Sequence, residues 1–356
     1  MNVLFLVLHR KDRSPGQRYR HEQYINFLEL HDISCTFSPL LKSEKEDLIF
    51  YGNRTLFKII VGLKALLRRF KSVLSAGRYD AVYIYRDAFF FGLFFEKLLK
   101  RKGARIIYDF DDAIWLMDKN ESQGIFNRLK NPQKTATICG LADLVVVGNR
   151  YLGNYATQYN KNVNIIPSSI DFKSYDSSTL TKNSDKICIG WTGSFSTVKH
   201  FETAMPALTI LKEKFGEKIY FKLIGDPTYQ NSELGIVGVR WKSDTEAEDL
   251  SELDIGMMPL PDNDWTRGKC GMKGLQYMAL EIPTVMSPVG VNKDIIQDGV
   301  NGFLASSSEQ WVEKLSLLIE SAELRKKLGM AGRATVEKEY SVEANKDKWL
   351  SVFKDL

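Results

Sequence analysis

Residues 267–290, RGKCGMKGLQYMALEIPTVMSPVG, combine basic side chains and glycines where a helix is predicted to begin. A helix starting near Lys269 would place Lys269, Lys273 and Gln276 on one polar face, because residues i, i+4 and i+7 are neighbours there. Arg267 precedes this face, and Gly271 leaves the backbone bare. Free N–H groups and the positive end of the helix dipole converge at such a point. The pattern predicts a phosphate or diphosphate site, with an ordinary surface helix bearing solvated lysines as the alternative.

Three carboxylates, Asp109, Asp111 and Asp112, crowd the end of a strand predicted over residues 105–109. Like charges this close should raise the pKa of at least one of them, and that group could bind hydroxyls or accept a proton. The alternative is that an Asp caps a helix beginning at AIW. DFDD also contains a DxD pattern, and carboxylate pairs bind Mg²⁺ or Mn²⁺ with a diphosphate. The pattern is too short and common to predict a metal site.

Other polar residues follow predicted strands. In SPGQRYR, Gly16 would allow close backbone approach, and Arg18 and Arg20 would bind a diphosphate or another phosphate; solvated arginines at a helix start are the alternative. Asp226 and Trp241 end strands in the second half and are predicted to line a nucleotide-base pocket, with a core position as the alternative for Trp241.

The composition indicates a soluble globular protein. The chain has 356 residues, 44% hydrophobic and 26% charged, a length that suits two domains. No apolar run reaches the roughly 18 residues of a membrane span; the longest candidate is AFFFGLFF, residues 88–95. The N-terminus resembles a first strand more than a signal peptide. Four scattered cysteines fit a reducing cytoplasm, and a net charge of +5 is too small for a polycationic nucleic-acid binder.

Basic residues cluster in a predicted amphipathic helix over residues 56–74, and a second basic stretch follows at residues 97–105. The helix contains Lys58, Lys64, Arg68, Arg69 and Lys71. Such helices can lie on anionic lipid headgroups. An ordinary amphipathic helix that covers a sheet explains the pattern equally well.

Strand and helix patterns alternate along the chain, which predicts parallel sheets with helices on both faces. The predicted strands are residues 3–8, 33–37, 81–85, 105–109, 144–147 and 163–166, then 187–191, 219–224, 237–241, 255–258 and 284–286. Helices are expected between them, for example over residues 17–30 and 55–75. The polar segment 171–185 has the composition of a linker. Two Rossmann-like doubly wound domains are predicted, 1–172 and 186–340, with a helix at 341–356 that packs back on the first.

Several motifs together resemble the GT-B glycosyltransferases, most closely the retaining family-4 enzymes that use nucleotide sugars. They are SPGQRYR, YDFDDAIW, ADLVVVGNRYL, VNIIPSSID, IGWTGSFSTVKH, the block from Arg267, and DGVNGFLA. The resemblance covers essentially the full length. It implies a second domain that holds the donor, a first domain that holds the acceptor, and a cleft between them.

This sequence departs from the family pattern at several positions. Ser194 stands where the glycine loop of the family carries Arg, whereas Lys199 matches the family Lys. The two glutamates of the family fall on Gly268 and Gln276, and Gln276 can still bond ribose hydroxyls. Asp111 aligns best with a His that contacts the transferred sugar. The resemblance implies these donor-binding residues: Gly16, Arg18, Gly193, Ser194, Lys199, Asp226, Trp241, Arg267, Lys269, Gly271, Met272 and Gln276.

The expected reaction is transfer of a hexose-type sugar from a UDP- or GDP-sugar to a hydroxyl, with retention implied by the family. Lys199, Arg267 and Lys273 would stabilise the leaving diphosphate without a metal or another cofactor. The catalytic candidates are Asp109, Asp111, Asp112 and Lys273. The acceptor is expected to be a surface polysaccharide or lipid-linked glycan. The enzyme is expected in the cytoplasm, either free or peripheral on the inner membrane face. No nucleic-acid partner is expected.

Two other functions fit the same residues. A nucleotide-sugar epimerase of this fold would convert the donor without an acceptor. The substitutions at Ser194, Gly268 and Gln276 would also fit a degenerate subunit that binds sugar nucleotides or glycans without turnover, although Lys199 and Lys273 are retained.

Overall fold

The computed structural model describes residues 1–50, 54–116, 133–175 and 186–356. The chain divides into two compact units: unit 1 comprises Met1–Ser168 and Lys346–Leu356, and unit 2 comprises Ser169–Asn345. Residues 176–185 of the predicted linker lie outside the described part of the chain.

Unit 1 contains a parallel sheet of order β2-β1-β3-β4-β5-β6. Its strands are Asn2–Val7 (β1), Ser34–Pro39 (β2), Ala81–Tyr85 (β3), Ile106–Phe110 (β4), Leu144–Val147 (β5) and Val163–Ile165 (β6). The chain order reverses between β1 and β3, whose carboxyl ends therefore form a switch point, the usual ligand position in open parallel sheets. Strands β1, β3 and β4 are almost wholly buried, as expected for a sheet covered on both faces.

The helices of unit 1 follow the predicted alternation. They are Pro15–Arg20 (α1), Ile25–Glu29 (α2), Glu44–Asp47 (α3), Thr55–Leu74 (α4), Phe94–Arg101 (α5), Gln133–Leu141 (α6) and Arg150–Ala156 (α7). The single helix predicted over residues 17–30 is wrong. It is broken because His21, with φ −130°, leaves the helical conformation, and a short 3-10 turn over Glu22–Tyr24 follows.

Unit 2 contains a sheet of order β13-β12-β11-β7-β8-β10-β9. Its strands are Ile187–Thr192 (β7), Ile219–Ile224 (β8), Gln230–Asn231 (β9), Ile236–Val239 (β10), Ile255–Met258 (β11), Thr284–Met286 (β12) and Phe303–Leu304 (β13). Only β9 and β10 pair antiparallel; the other pairs are parallel. The switch point lies between β7 and β11. The two-residue strands β9 and β13 were not predicted, because so short a segment has no period.

The helices of unit 2 surround this sheet. They are Val198–Glu202 (α8), Met205–Phe215 (α9), Glu246–Ser251 (α10), Asp264–Arg267 (α11), Met272–Ala279 (α12), Asn292–Ile295 (α13), Ser308–Glu320 (α14), Ala322–Thr335 (α15) and Val342–Lys354 (α16). One apolar core joins β7, β8 and β11 to α9 and α14. None of the described helices is long and apolar enough to cross a membrane.

The last part of α16 belongs to unit 1. Trp349, Val352 and Phe353 are buried there. The Trp349 ring lies 5.5 Å from Tyr24, and the Phe353 ring lies 6.1 Å from Phe5 on β1 (centroid distances). The apolar face seen in the sequence therefore completes the core of unit 1.

Candidate functional site

Helix α12 begins at the glycine where the sequence predicts an anion site. Gly271 caps the helix in the left-handed conformation, with φ +71°. A Cβ there would lie 2.3 Å from Cδ1 of Ile295, so both backbone and packing favour glycine. The helix starts at Met272 and not near Lys269. Lys269 precedes the left-handed Gly271 and therefore lies outside the helix. The prediction that Lys269 belongs to the polar stripe of α12 is wrong for this reason.

The side chain of Lys273 lies at the carboxyl end of β7. A Cβ on Gly193 would lie 2.8 Å from Cε of Lys273 and 2.5 Å from the Trp191 ring. The ammonium group of Lys273 is 5.5 Å from the centroid of that ring. Gly225 in turn packs on Gly193, because a Cβ at Gly225 would lie 1.7 Å from the Gly193 carbonyl oxygen. The glycine loop and the basic helix start thus meet at the switch point of the sheet.

Tyr277 fixes helix α12 in this position. Its hydroxyl accepts a hydrogen bond of 2.8 Å from the backbone N–H of Thr192 at the end of β7. Its ring fills the space beside Gly256 on β11, where a Cβ would lie 2.4 Å away. Tyr277 is fully buried. Its contacts with Thr192 and Gly256 fix the position of α12 relative to strands β7 and β11.

The basic residues before α12 are arranged differently from the prediction. Arg267 is exposed and donates to Asp262 at 2.7 Å and to Asp264 at 3.2 Å. Lys269 lies with its ammonium group 4.7 Å from the Trp265 ring centroid. The prediction that Arg267 supplies the missing charge at the diphosphate is thus weakened, because two carboxylates already bind its guanidinium.

Gln276 and Trp241 belong to one buried hydrogen-bond network. Gln276 donates to the hydroxyl of Tyr175 at 2.9 Å, and that hydroxyl donates to Glu246 at 3.0 Å. Glu246 also accepts a hydrogen bond of 2.7 Å from the indole N–H of Trp241. Gln276 is only 5% exposed. Its carboxamide nitrogen is therefore turned to Tyr175, and the bond from Gln276 to ribose hydroxyls stays a prediction.

Four other predicted donor residues lie near the carboxyl ends of the strands of unit 2. Ser194 is exposed in the loop after β7, where its hydroxyl is 3.0 Å from that of Ser196. Lys199 is half-buried on α8, and Met272 opens α12. Asp226 follows β8, but one of its oxygens accepts from the N–H and hydroxyl of Thr228, an arrangement that stabilises the turn.

In unit 1, Asp109 forms a buried ion pair with Arg20. Both side chains are 0% exposed, and Nη2 of Arg20 lies 2.6 Å from Oδ1 of Asp109. Tyr83 donates to the other carboxylate oxygen, and Arg20 also donates to the carbonyl of Ile166. Burial raises the pKa of Asp109, although the Arg20 guanidinium opposes the shift. The two groups bind each other inside unit 1, so the roles predicted for Asp109 in catalysis and for Arg20 at a diphosphate stay predictions, and this burial and pairing disfavour them.

Asp111 is the carboxylate that stands at the sheet edge. It accepts one hydrogen bond of 2.8 Å from the Tyr85 hydroxyl and another of 2.7 Å from Nη2 of Arg86. Gly16 lies against the same group, because a Cβ there would be 3.4 Å from Oδ2 of Asp111. Burial alone would raise the pKa of Asp111, but the neighbouring guanidiniums outweigh it and lower that pKa. Asp111 is therefore an ionised hydrogen-bond acceptor and a weak base.

The remaining predicted residues of unit 1 are Asp112 and Arg18. Asp112 is half-buried, and its Oδ1 accepts a hydrogen bond of 3.1 Å from the N–H of Ala113. Residues 113–116 form turns and not a helix, so this bond is not the helix cap of the alternative interpretation. The guanidinium of Arg18 lies 4.6 Å from the Tyr19 ring centroid. Within the described ranges, no group of three His, Cys, Asp or Glu side chains is arranged to hold a metal ion.

His21, next to Arg20, carries a testable pH dependence. Burial, and to a smaller extent the charge of Arg20, lower its pKa from 6.5 to about 3. Because the pKa of His21 is lower in the folded state than in the unfolded state, protonation of this group favours unfolding. The contribution of neutral His21 to the free energy of unfolding is complete above about pH 6.5 and is lost as the pH falls towards 3. We expect the free energy of unfolding to fall by about 2 kcal/mol through this group between about pH 7 and pH 5. Urea unfolding followed by circular dichroism measures it.

The variant His21→Gln should flatten this slope, because glutamine stays neutral in both states. His31→Gln is the matched control, since His31 is exposed, and should leave the slope as it is. A wild-type slope in His21→Gln would contradict the assignment.

Sequence reasoning missed Tyr175, Glu246 and Tyr85, and it did not choose Arg86, which follows the strand predicted over residues 81–85, as a site residue. Arg86 follows β3 with φ +61°, a rare conformation for a residue other than glycine. Its backbone N–H donates 2.8 Å to the carbonyl of Asp109. A basic residue directly after a buried strand was the available signal; no sequence signal marks Tyr175 or Glu246.

Comparisons with known proteins agree with this architecture. Residues 186–321 match the family described as Glycosyl transferases group 1. Sucrose-phosphate synthase from Thermosynechococcus elongatus superposes with a TM-score of 0.73 at 13% identity, over 100% of this chain and 98% of that one. HepE from Anabaena, solved with UDP-glucose, gives 0.69 at 14% identity, over 100% of both chains. A glycosyltransferase from Rickettsia africae gives 0.67 at 15%, over 99% and 97%.

A comparison with curated protein sequences found no match. At these identities the structural likeness carries the fold, which is GT-B over the full length. The match to the family model covers residues 186–321, which is less than half of the chain. The chain thus has the GT-B fold, and within its second unit residues 186–321 are similar to the family described as Glycosyl transferases group 1.

Proposed function

We propose that the protein transfers a sugar from a nucleoside-diphosphate sugar, UDP- or GDP-linked, to a hydroxyl acceptor with retention of configuration. The observation that carries the proposal is Lys273, whose side chain lies over Gly193 at the switch point of unit 2. Gly193 leaves room for the Trp191 ring and the Lys273 stem at the end of β7, while the N-terminal end of α12 directs its N–H groups and the positive end of its dipole to the same place. HepE, solved with UDP-glucose, has the same fold.

Cleavage of the sugar–phosphate bond leaves negative charge on the departing diphosphate. Groups already aimed at that charge stabilise the transition state more than the ground state. Lys273 and the first N–H groups of α12 are proposed for this role, with Lys199 as a second cation. No metal is needed in this proposal, because these groups supply the positive charge.

In unit 1, Asp111 is proposed to orient a substrate hydroxyl. Its carboxylate is held by Tyr85 and Arg86, and its lowered pKa keeps it ionised. A positioned acceptor fits this geometry better than a proton-transferring base, because a low pKa makes a weak base.

We further propose a lipid-linked or surface-polysaccharide acceptor, and an enzyme in the cytoplasm at the inner face of the membrane. Basic residues in α4 and α5 support this location.

A thermal-shift screen tests the donor site. The protein is heated with UDP, GDP, CDP or ADP and their common sugars, in Mg²⁺ or in EDTA. A nucleotide that binds the folded state raises the melting temperature by mass action, by several degrees at about 100 times Kd. We expect a shift with UDP or GDP compounds that EDTA leaves unchanged. No shift with any nucleotide contradicts the donor site, and a shift only with Mg²⁺ contradicts metal independence.

Mass analysis of the bound sugar nucleotide separates the competing functions. Release of free nucleoside diphosphate together with a glycosylated acceptor supports transfer. Conversion of the sugar without an acceptor indicates an epimerase. Nucleotide binding without any turnover indicates a non-catalytic subunit.

A further inference from the structure

The outward face of helix α4 is apolar. Leu56, Ile59, Ile60, Leu63, Leu67 and Leu74 are between 44% and 72% exposed. At 3.6 residues per turn, all six fall within an arc of about 100°. These residues, the α4 stripe, extend along about 27 Å of helix. Phe94 of α5, 57% exposed, lies beside the helix with its ring 5.5 Å from that of Phe70.

The inward face of α4 carries a buried arginine. Arg69 is 0% exposed; its Nη2 donates 3.0 Å to the carbonyl of Val7, and Nη1 donates 3.1 Å to that of Ser38. Arg68 donates to Glu46 at 2.7 Å and to the carbonyl of Leu40 at 2.8 Å. These arginines hold the helix against the carboxyl ends of β1 and β2. The buried face also contains Val61, Ala65 and Val73, so α4 is apolar on its inward face as well as along the exposed stripe. An ordinary covering helix is apolar only towards the sheet.

Positive charge borders the α4 stripe. Lys64 and Lys71 follow Ile60 and Leu67 by four residues, so each lies beside the stripe, and both are exposed. The helix TLFKIIVGLKALLRRFKSVL contains no Asp or Glu. A lipid surface with anionic headgroups matches both features, because acyl chains accept the leucines while headgroups attract the lysines.

A second copy of this chain fits the surface less well. In a two-fold contact through the stripe, each patch meets itself. The lysines that border one stripe would then face those of the other, and like charges across an interface oppose association.

We propose that the α4 stripe is a membrane-docking surface, with α4 lying in the plane of an anionic bilayer and its leucines at the boundary between headgroups and acyl chains. The inference deepens the membrane location proposed above. Vesicle binding is measured without sugar transfer, so the docking surface can fail while the transferase stands, and the reverse. Both the lysines and the apolar stripe should increase the affinity for anionic vesicles. Salt should weaken only the contribution of the lysines, because it screens charge.

Co-sedimentation of the full-length protein with vesicles tests the proposal. Vesicles of phosphatidylcholine alone are compared with vesicles that also contain phosphatidylglycerol. We expect binding to the anionic vesicles at least tenfold tighter than to the neutral ones. The double variant Leu63→Asp/Leu67→Asp should lose at least tenfold in affinity, and Lys64→Glu/Lys71→Glu should lose a similar factor on anionic vesicles only.

Matched controls use equally exposed residues elsewhere in unit 1. Leu30 is 82% exposed beyond the end of α2, and Leu30→Asp should bind as the wild type does. Lys161→Glu, also exposed, controls for charge. Leu63→Ser/Leu67→Ser checks that lost apolar area matters, and not only the added charge.

Several outcomes would overturn the proposal. One is wild-type binding by Leu63→Asp/Leu67→Asp, and another is equal binding to neutral and anionic vesicles. A third is a protein that ignores vesicles but sediments in the ultracentrifuge as a dimer that Leu63→Asp/Leu67→Asp dissociates. That last result would assign the stripe to a second copy of the chain.

Discussion

Replacing Lys273 by methionine is expected to lower kcat/KM for sugar transfer by about 10²- to 10³-fold, the usual loss when one group that stabilises a developing negative charge is removed. Methionine keeps an unbranched stem over Gly193 and beside the Trp191 ring, where the lysine stem lies. The change therefore removes the ammonium group and retains most of the packing. Steady-state release of the nucleoside diphosphate measures the effect.

The distribution of this loss is informative. If Lys273 acts mainly on the departing diphosphate, kcat falls and KM for the donor changes little. If it only binds the ground state, KM rises with kcat unchanged. Lys326 is a matched control, since it is exposed on α15 of the same unit, and Lys326→Met should retain wild-type kinetics. Wild-type kcat/KM in Lys273→Met would remove Lys273 from the site.

The variant Arg20→Met is expected to lower the free energy of unfolding of unit 1 by about 3–5 kcal/mol, because it leaves a buried carboxylate without its counter-charge. Arg20 and Asp109 are both 0% exposed and share a contact of 2.6 Å. Asp109→Asn should cost a similar amount, since it leaves a buried guanidinium. Urea unfolding followed by circular dichroism measures the loss.

The double variant Arg20→Met/Asp109→Leu should be less destabilised than the sum of the single variants, because no uncompensated charge is then buried. Lys100 and Asp143 form the matched exposed pair, with 40% and 36% of their side chains exposed and a separation of 2.7 Å. Lys100→Met should cost about 0–1 kcal/mol. A cost for Arg20→Met as small as that of Lys100→Met would contradict the buried-pair assignment.

The predicted strands are accurate because their signal is local. The strands Ala81–Tyr85, Leu144–Val147, Ile219–Ile224, Ile255–Met258 and Thr284–Met286 have the predicted bounds. Each is a short apolar run between polar turns, and a buried parallel strand requires little else. Helix predictions failed where a single residue changes the backbone. His21 breaks the helix predicted over residues 17–30, and Gly271 delays the start of α12.

The candidate site was predicted unevenly for a related reason. Gly193 and Lys273 lie 80 positions apart in the chain, yet the order of strands and helices brings both to one switch point, as the general rule for parallel sheets anticipates. No such rule predicts that Asp109 is buried against Arg20 whereas Asp111 lies at the carboxyl end of the sheet beside Arg86. Side chains alternate along a strand, but which partner each meets depends on Arg20 and Arg86, both distant in sequence.

The amino-acid sequence by itself determined the alternation of elements, the fold that follows from it, and the basic, glycine-rich start of α12, because each depends on short-range pattern and on residue type. Only the tertiary structure decided which charged groups are used inside the protein. In the folded protein Arg20 and Arg69 are buried, Arg267 binds acidic neighbours, and leucines of α4 face outward. Ion pairing and burial depend on distances between residues far apart in the chain, and no local pattern encodes those distances.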